Sequence, residues 1–124
     1  MHVRTILLAV AAVASASVAG AQVPADSDRP AADLYKTTCQ ACHMADGKAA
    51  LEPMNFADGK WRHGSTVKEL AAAITNGVQG TAMMPFTTRF SEKEILALAR
   101  YVRAFDTSLK PETATAAKKK PAAR

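Results

Sequence analysis

The chain has 124 residues, a formal charge of +5 and only two cysteines, a length that holds one domain at most. The positive charge does not indicate nucleic-acid binding, because Arg4, Lys118, Lys119, Lys120 and Arg124 sit at the two ends, while residues 22 to 112 carry 11 basic and 11 acidic groups.

The chain opens Met1-His2-Val3-Arg4, runs apolar from Ile6 to Ala14, and reaches Ala19-Gly20-Ala21 before Gln22. A basic start, a short apolar run and an A-x-A end predict a secretory signal peptide over residues 1 to 21, cleaved after Ala21. The run is too short to span a bilayer, so the mature chain is expected to be exported and to lack a transmembrane segment. Residues 22 to 30 read as a flexible leader, with Ser27 or Asp28 as a candidate cap and Pro30 in the first helical turn.

A first helix is predicted over about 31 to 42, with Tyr35, Cys39 and Cys42 at i, i+4 and i+7 and hence on one face. It ends in Cys39-Gln40-Ala41-Cys42-His43, which reads C-x-x-C-H, the attachment signature of c-type haem. Two thiols at that spacing can each form a thioether to a haem vinyl group, and the next imidazole then meets one face of the iron. Other readings are a disulfide or redox thiol pair, which expects a βαβ setting that this pattern does not offer, and a zinc site drawing on His63. A buried porphyrin also answers a shortage: seven aromatic residues leave the interior to Leu, Ile, Val, Ala and Met.

Residues 44 to 64, with Gly47, Pro53, Gly59 and Gly64, read as a long loop that wraps one haem edge. Trp61 is a candidate to pack on the macrocycle or to donate its indole N–H to a propionate, against an ordinary core-capping role. His63 has no assigned role. A second helix is predicted over 66 to 76, capped by Ser65 or Thr66 with Glu69 completing a capping box, striped by Val67, Leu70, Ala71 and Ile74, and stopped at Asn76-Gly77. The irregular stretch that follows carries Met83-Met84-Pro85, where a thioether can return over the opposite haem face and Pro85 biases Met84 toward an extended backbone. A third helix, 91 to 106, starts at Ser91 with Glu94 in a capping box and buries Ile95, Leu98, Val102 and Phe105. From Thr107 to Arg124 the composition predicts a disordered Ala/Lys/Pro tail.

From residue 31 to 106 the chain resembles the class I cytochromes c. The resemblance rests on Cys39-Gln40-Ala41-Cys42-His43, Trp61-Arg62-His63-Gly64, Ile74-Thr75-Asn76-Gly77, Met84-Pro85 and Tyr101-Val102. It implies an all-α cytochrome c fold with one covalent haem c, His43 and Met84 as the axial metal ligands, and a Pro53 carbonyl accepting a hydrogen bond from His43. Glu52 stands where family members often carry Gly before that proline. Ala31 or Ala32 must serve where they place a small residue at the crossing of the first and last helices.

A six-coordinate iron has no open position for substrate, so the ligand set implies a single-electron carrier and not an enzyme. The expected setting is the periplasm. The expected donor is a quinol-oxidising complex or a dehydrogenase, the acceptor a terminal oxidase or reductase, and the chain a monomer with a small transient interface. Two alternatives stand beside this: a haem subunit bound tightly to one periplasmic dehydrogenase, and a haem enzyme or gas sensor with an open distal site.

Overall fold

The structure, a computed structural model, describes residues 27 to 112. The expected signal peptide with its cleavage point, residues 22 to 26 of the leader, and the tail from residue 113 onward lie outside the described residues. What is described is helical, without strands. The N-terminal helix runs as α1 (Ala31–Leu34), a π-helical turn (Tyr35–Cys39) and α2 (Gln40–His43). A 3₁₀ turn at Glu52–Met54 interrupts the first loop, and α3 (Val67–Asn76) and α4 (Glu92–Arg103) complete the set.

Both long helices begin where local chemistry says they must. Thr66 and Glu69 form a reciprocal capping box on α3, and Ser91 and Glu94 form one on α4. The apolar seam of α4 is buried at Ile95, Leu98 and Val102, with Phe105 packed against the same core. The helix itself stops at Arg103. Phe105 and Asp106 then donate to Val102 and Arg103, so the expected last turn is tightened into i→i+3 bonds.

The N-terminal helix differs from expectation in two ways. Pro30 is its cap position and no side chain caps it, because Ser27 is engaged elsewhere and Asp28 only approaches Lys93 at 3.9 Å on the surface. The π turn, in which Gln40 N–H donates to the Tyr35 carbonyl, changes the rotation between Tyr35 and the two thiols. Tyr35 is therefore deep in the core, while Cys39 is half-buried and Cys42 exposed. Tyr35 packs between Tyr101 and Phe105 at centroid distances of 5.3 and 5.1 Å, with Leu34 beside it. Ala31 is half-buried and Ala32 exposed, so Leu34 and Tyr35 supply the buried face of this helix.

Two buried carboxylates tie segments near both ends of the described residues to this core. Glu94 is fully buried and accepts from Ser27 Oγ (2.7 Å), Arg29 N–H (3.0 Å), Arg29 Nε (2.7 Å) and Nη2 (3.0 Å), and Ser91 N–H (2.9 Å). Residues 27 to 29, read from composition as leader, are thus bound to α4. The Arg29 guanidinium, with the smaller help of Ser91 and Ser27, holds the Glu94 carboxyl well below the usual carboxylate range against the opposing effect of burial. Asp106, also buried, accepts from Ser108 Oγ (2.6 Å) and N–H (3.0 Å) and from Trp61 Nε1 (2.8 Å). The indole N–H of Trp61 is therefore committed to Asp106, which corrects the expected donation to a propionate: a buried carboxylate takes the nearest donor.

The start of the expected tail is held too. Arg103 donates to the carbonyls of Ser65 (2.7 Å) and Lys110 (2.6 Å), and Glu112 accepts from the Val67 N–H at 2.9 Å.

Glu94 has an ordinary pKa of 4.5 and a depressed one when folded, so its contribution is complete above about pH 5 and is lost as pH falls below that. Glu94→Gln removes the buried charge and leaves the half-exposed Arg29 to water, so it should lower stability at neutral pH by about 1–3 kcal/mol and flatten the acid limb of a stability–pH curve, read by urea titration from pH 3 to 7. Trp61→Phe should cost about 1–3 kcal/mol by removing one donor from Asp106, measured in the same titration at pH 7.

Candidate functional site

The site is built at the C-terminal end of the first helix. Met44 closes α2 at φ 63°, a left-handed conformation uncommon for a residue with a side chain, and Gly47 N–H returns to its carbonyl at 3.3 Å. The buried Tyr35 hydroxyl reaches the same place, donating to the Met44 carbonyl at 2.6 Å with the His43 carbonyl at 3.4 Å. Burial, with charge from Cys39 adding to it, pushes the Tyr35 hydroxyl up to about 12, so it remains a donor at any physiological pH.

Both cysteines are free thiols. Burial raises Cys39 to about 11, opposed by the Arg89 charge. A redox thiol pair needs the opposite, a thiolate favoured near neutrality. His63 is exposed, and among the described residues no group of three or more His, Cys, Asp or Glu is placed to hold a metal ion. The arrangement does not gather the donors of a zinc site.

His43 is half-buried, and burial lowers its pKa while a hydrogen bond from its ring partly offsets that effect. Nδ1 lies 2.8 Å from the Met54 carbonyl. A carbonyl can only accept, so Nδ1 carries the proton and Nε2 keeps its lone pair for a metal. The partner expected here was the carbonyl of Pro53, and the chain uses Met54 instead. The 3₁₀ turn spends the Leu51 and Glu52 carbonyls on the amides of Met54 and Asn55, and leaves Pro53 exposed. The Met54 carbonyl points free of that turn as the chain extends through Asn55 (φ −86°, ψ 123°). Phe56 stacks on the imidazole at 4.3 Å and 20°, and on Trp61 at 5.8 Å and 8°. Met54 and Phe56 were not evident from the sequence: each lies in an aperiodic loop where no spacing marks it.

The loop that holds this segment closes through Gly47. Phe56 N–H donates to the Gly47 carbonyl at 2.8 Å, and a Cβ on Gly47, which has φ 70°, would stand 2.8 Å from Phe105 Cγ. The opposite loop is shaped by Gly77 at the end of α3. At φ 67° it passes so close to the following methionine segment that a Cβ would meet the Met83 carbonyl oxygen at 2.5 Å and Pro85 N at 2.7 Å. Val78 N–H donates to Met83 O (2.8 Å) and Phe86 N–H to Ile74 O (3.2 Å), which pins the loop on both sides of Met84. Met83 is half-buried and packs on the core, whereas 56% of Met84 is exposed.

The donor set suits a c-type haem. Two thiols end one helix, an imidazole follows with one nitrogen already occupied and the other free, and a thioether stands exposed on a braced loop. Trp61 reaches this group through Phe56, which stacks on both Trp61 and His43, and its indole N–H is bound to Asp106.

Residues 26–102 match the family described as cytochrome c oxidase, cbb3-type, subunit III. No curated protein matches the chain. Among solved structures it is similar to the c-type cytochrome KustC0563, at 28% identity and TM-score 0.51, covering 64% of this chain and 100% of that one. It is also similar to cytochrome CL of the marine methylotrophic bacterium Methylophaga aminisulfidivorans (24% identity, TM-score 0.53, 77% of this chain and 67% of that one). A third similar structure is cytochrome c6 of the diatom Phaeodactylum tricornutum (31% identity, TM-score 0.49, 60% of this chain and 88% of that one). With a family match across most of the described residues, a helical fold and a complete C-x-x-C-H site, the chain belongs to this cytochrome c family and is an all-α, class I monohaem c-type cytochrome, a haem c electron carrier.

Proposed function

We propose that the protein is an exported carrier that moves single electrons between periplasmic redox partners, with His43 and Met84 as the axial ligands of its haem. The observation that carries this reading is the fixed imidazole of His43, whose Nδ1 is held by Met54 and whose Nε2 is free. That tautomer makes His43 a neutral, oriented ligand, and the hydrogen bond raises its basicity. Cys39 and Cys42 would hold the porphyrin covalently, so that it is retained outside the cytoplasm. Met84 would close the second axial position, leaving none for a substrate. Bound haem supplies a one-electron iron couple, whose potential neutral thioether ligation and burial raise.

The signal-peptide pattern at residues 1 to 21 supports export, and among the described residues no helix is long and apolar enough to cross a membrane. The proposed donors are a quinol-oxidising complex or a dehydrogenase. A terminal oxidase is among the proposed acceptors, the class named in the description of the matching family.

The test is the visible spectrum of protein expressed with the haem-attachment machinery, oxidised and reduced, with and without a small iron ligand. Covalent c-type haem, a red-region charge-transfer band in the ferric state and no ready ligand uptake are expected. A covalent spectrum without that band and with rapid uptake would overturn the carrier reading in favour of an open-site enzyme or sensor. Met84→Ala should keep covalent haem, lose the band and lower the reduction potential by on the order of 0.1 V, within the roughly 0.8 V range that axial ligands command. An unchanged potential in a redox titration of that variant would remove Met84 from the iron. His43→Ala, and replacement of both thiols by Ser, should each abolish stable holoprotein, read as haem retained on a denaturing gel.

A further inference from the structure

We infer that Arg29 is a positioning residue for the loop that carries Met84, so that the segment ahead of the first helix controls how readily this methionine leaves the iron. The inference rests on the proposed Met84 ligation.

The loop is gripped from two sides. One grip belongs to α3, where the Ile74 carbonyl, Gly77 and the Val78 N–H meet residues 83 to 86. The other belongs to Arg29. Its guanidinium is fixed to the fully buried carboxylate of Glu94 on α4 by Nε at 2.7 Å and Nη2 at 3.0 Å. The same Nη2 donates to the Arg89 carbonyl at 3.0 Å, and the guanidinium carbon lies 5.7 Å from the centroid of the Phe90 ring. Phe90 stacks on Phe86 at 5.2 Å and 9°, and the amides of Arg89 and Phe90 both donate to the Phe86 carbonyl at 3.0 Å. Residues 86 to 90 thus form one closed turn that Arg29 ties to α4. Only Pro85, with its fixed φ, separates this turn from Met84.

Removing the Arg29 side chain frees an exposed carbonyl that water can satisfy, so the turn itself need not unravel. What is lost is the polar part of its tie to α4, so that the turn is then held by the burial of Phe86 and Phe90 in the core and by the contacts of the loop with α3. Local openings that leave the rest of the fold intact become more populated. During such an opening the methionine sulfur is away from the metal and a small external ligand can take its place.

The experiment follows imidazole uptake by the ferric holoprotein through loss of the red-region band, in low urea concentrations that leave the protein folded. It compares wild type, Met84→Ala, Arg29→Ala and Arg29→Lys. Arg29→Ala should take up imidazole about tenfold faster than wild type, the size expected from loss of one charge-assisted tie, with a rate nearly independent of urea. Arg29→Lys, which keeps the charge beside Glu94 but lacks the fork that also reaches the Arg89 carbonyl, should show a smaller increase. An unchanged rate in both variants would overturn the inference. So would an increase that follows urea as steeply as global unfolding does, since Arg29 would then act only on overall stability. A wild-type protein without the band would overturn the Met84 ligation itself, and this inference with it.

Discussion

The burial of Tyr35 is the constraint on which the site depends. Its ring is wedged between Tyr101 and Phe105, which fixes the N-terminal helix against the last one. A phenol hydroxyl taken out of water must find an acceptor, and this one finds the Met44 carbonyl at the helix end. One side chain therefore couples the core to the peptide directly after His43. The thiols and the imidazole are delivered at a defined height on the core because the turn that ends their helix is bonded from beneath.

The long loops are ordered by short-range devices in place of a core of their own. Asp46, Asn55 and Asp58 each accept from a backbone amide two residues on, at 3.1, 2.8 and 3.0 Å, and so form three successive Asx turns. The 3₁₀ turn between the first two aims the Met54 carbonyl at His43. Phe56 then brings the chain back to Gly47 and lays its ring on the imidazole. A stretch with little apolar periodicity thereby becomes the wall behind the proposed metal ligand His43.

What the sequence disclosed was what a few neighbouring residues decide. The boxes of Thr66 with Glu69 and Ser91 with Glu94 are three-residue devices, and the seam of Ile95, Leu98 and Val102 is a property of one helix. The C-x-x-C-H motif is equally local. The rest depends on distant partners. Glu94 reads as a helix cap, yet most of the hydrogen bonds it accepts come from Ser27 and Arg29, 65 or more residues away. Trp61 finds Asp106 across 45 residues, and no composition or spacing reveals that choice. The Pro53 assignment missed by one residue because the 3₁₀ turn and the extension at Asn55 decide which carbonyl meets the imidazole. The π turn at Tyr35–Cys39 escaped detection because its residues are also acceptable in an ordinary α-helix.

For an electron carrier of this kind, the two sides of the iron pose the same mechanical problem. A ligand that shifts between oxidation states adds to the barrier for transfer, so both should be held by groups that do not themselves respond to the metal's charge. On the proposed His43 side the holding group is the Met54 backbone carbonyl at the end of a short turn. On the proposed Met84 side it is the end of α3, with backbone bonds at Val78 and Phe86 and the close approach at Gly77. The two grips differ in reach. His43 is fixed by its own loop, within 11 residues, whereas the methionine loop also leans on Arg29 and, through it, on the buried charge of Glu94. The methionine side is therefore the softer of the two, because its hold is shared with the first described residues of the chain, and it is where the coordination should yield first.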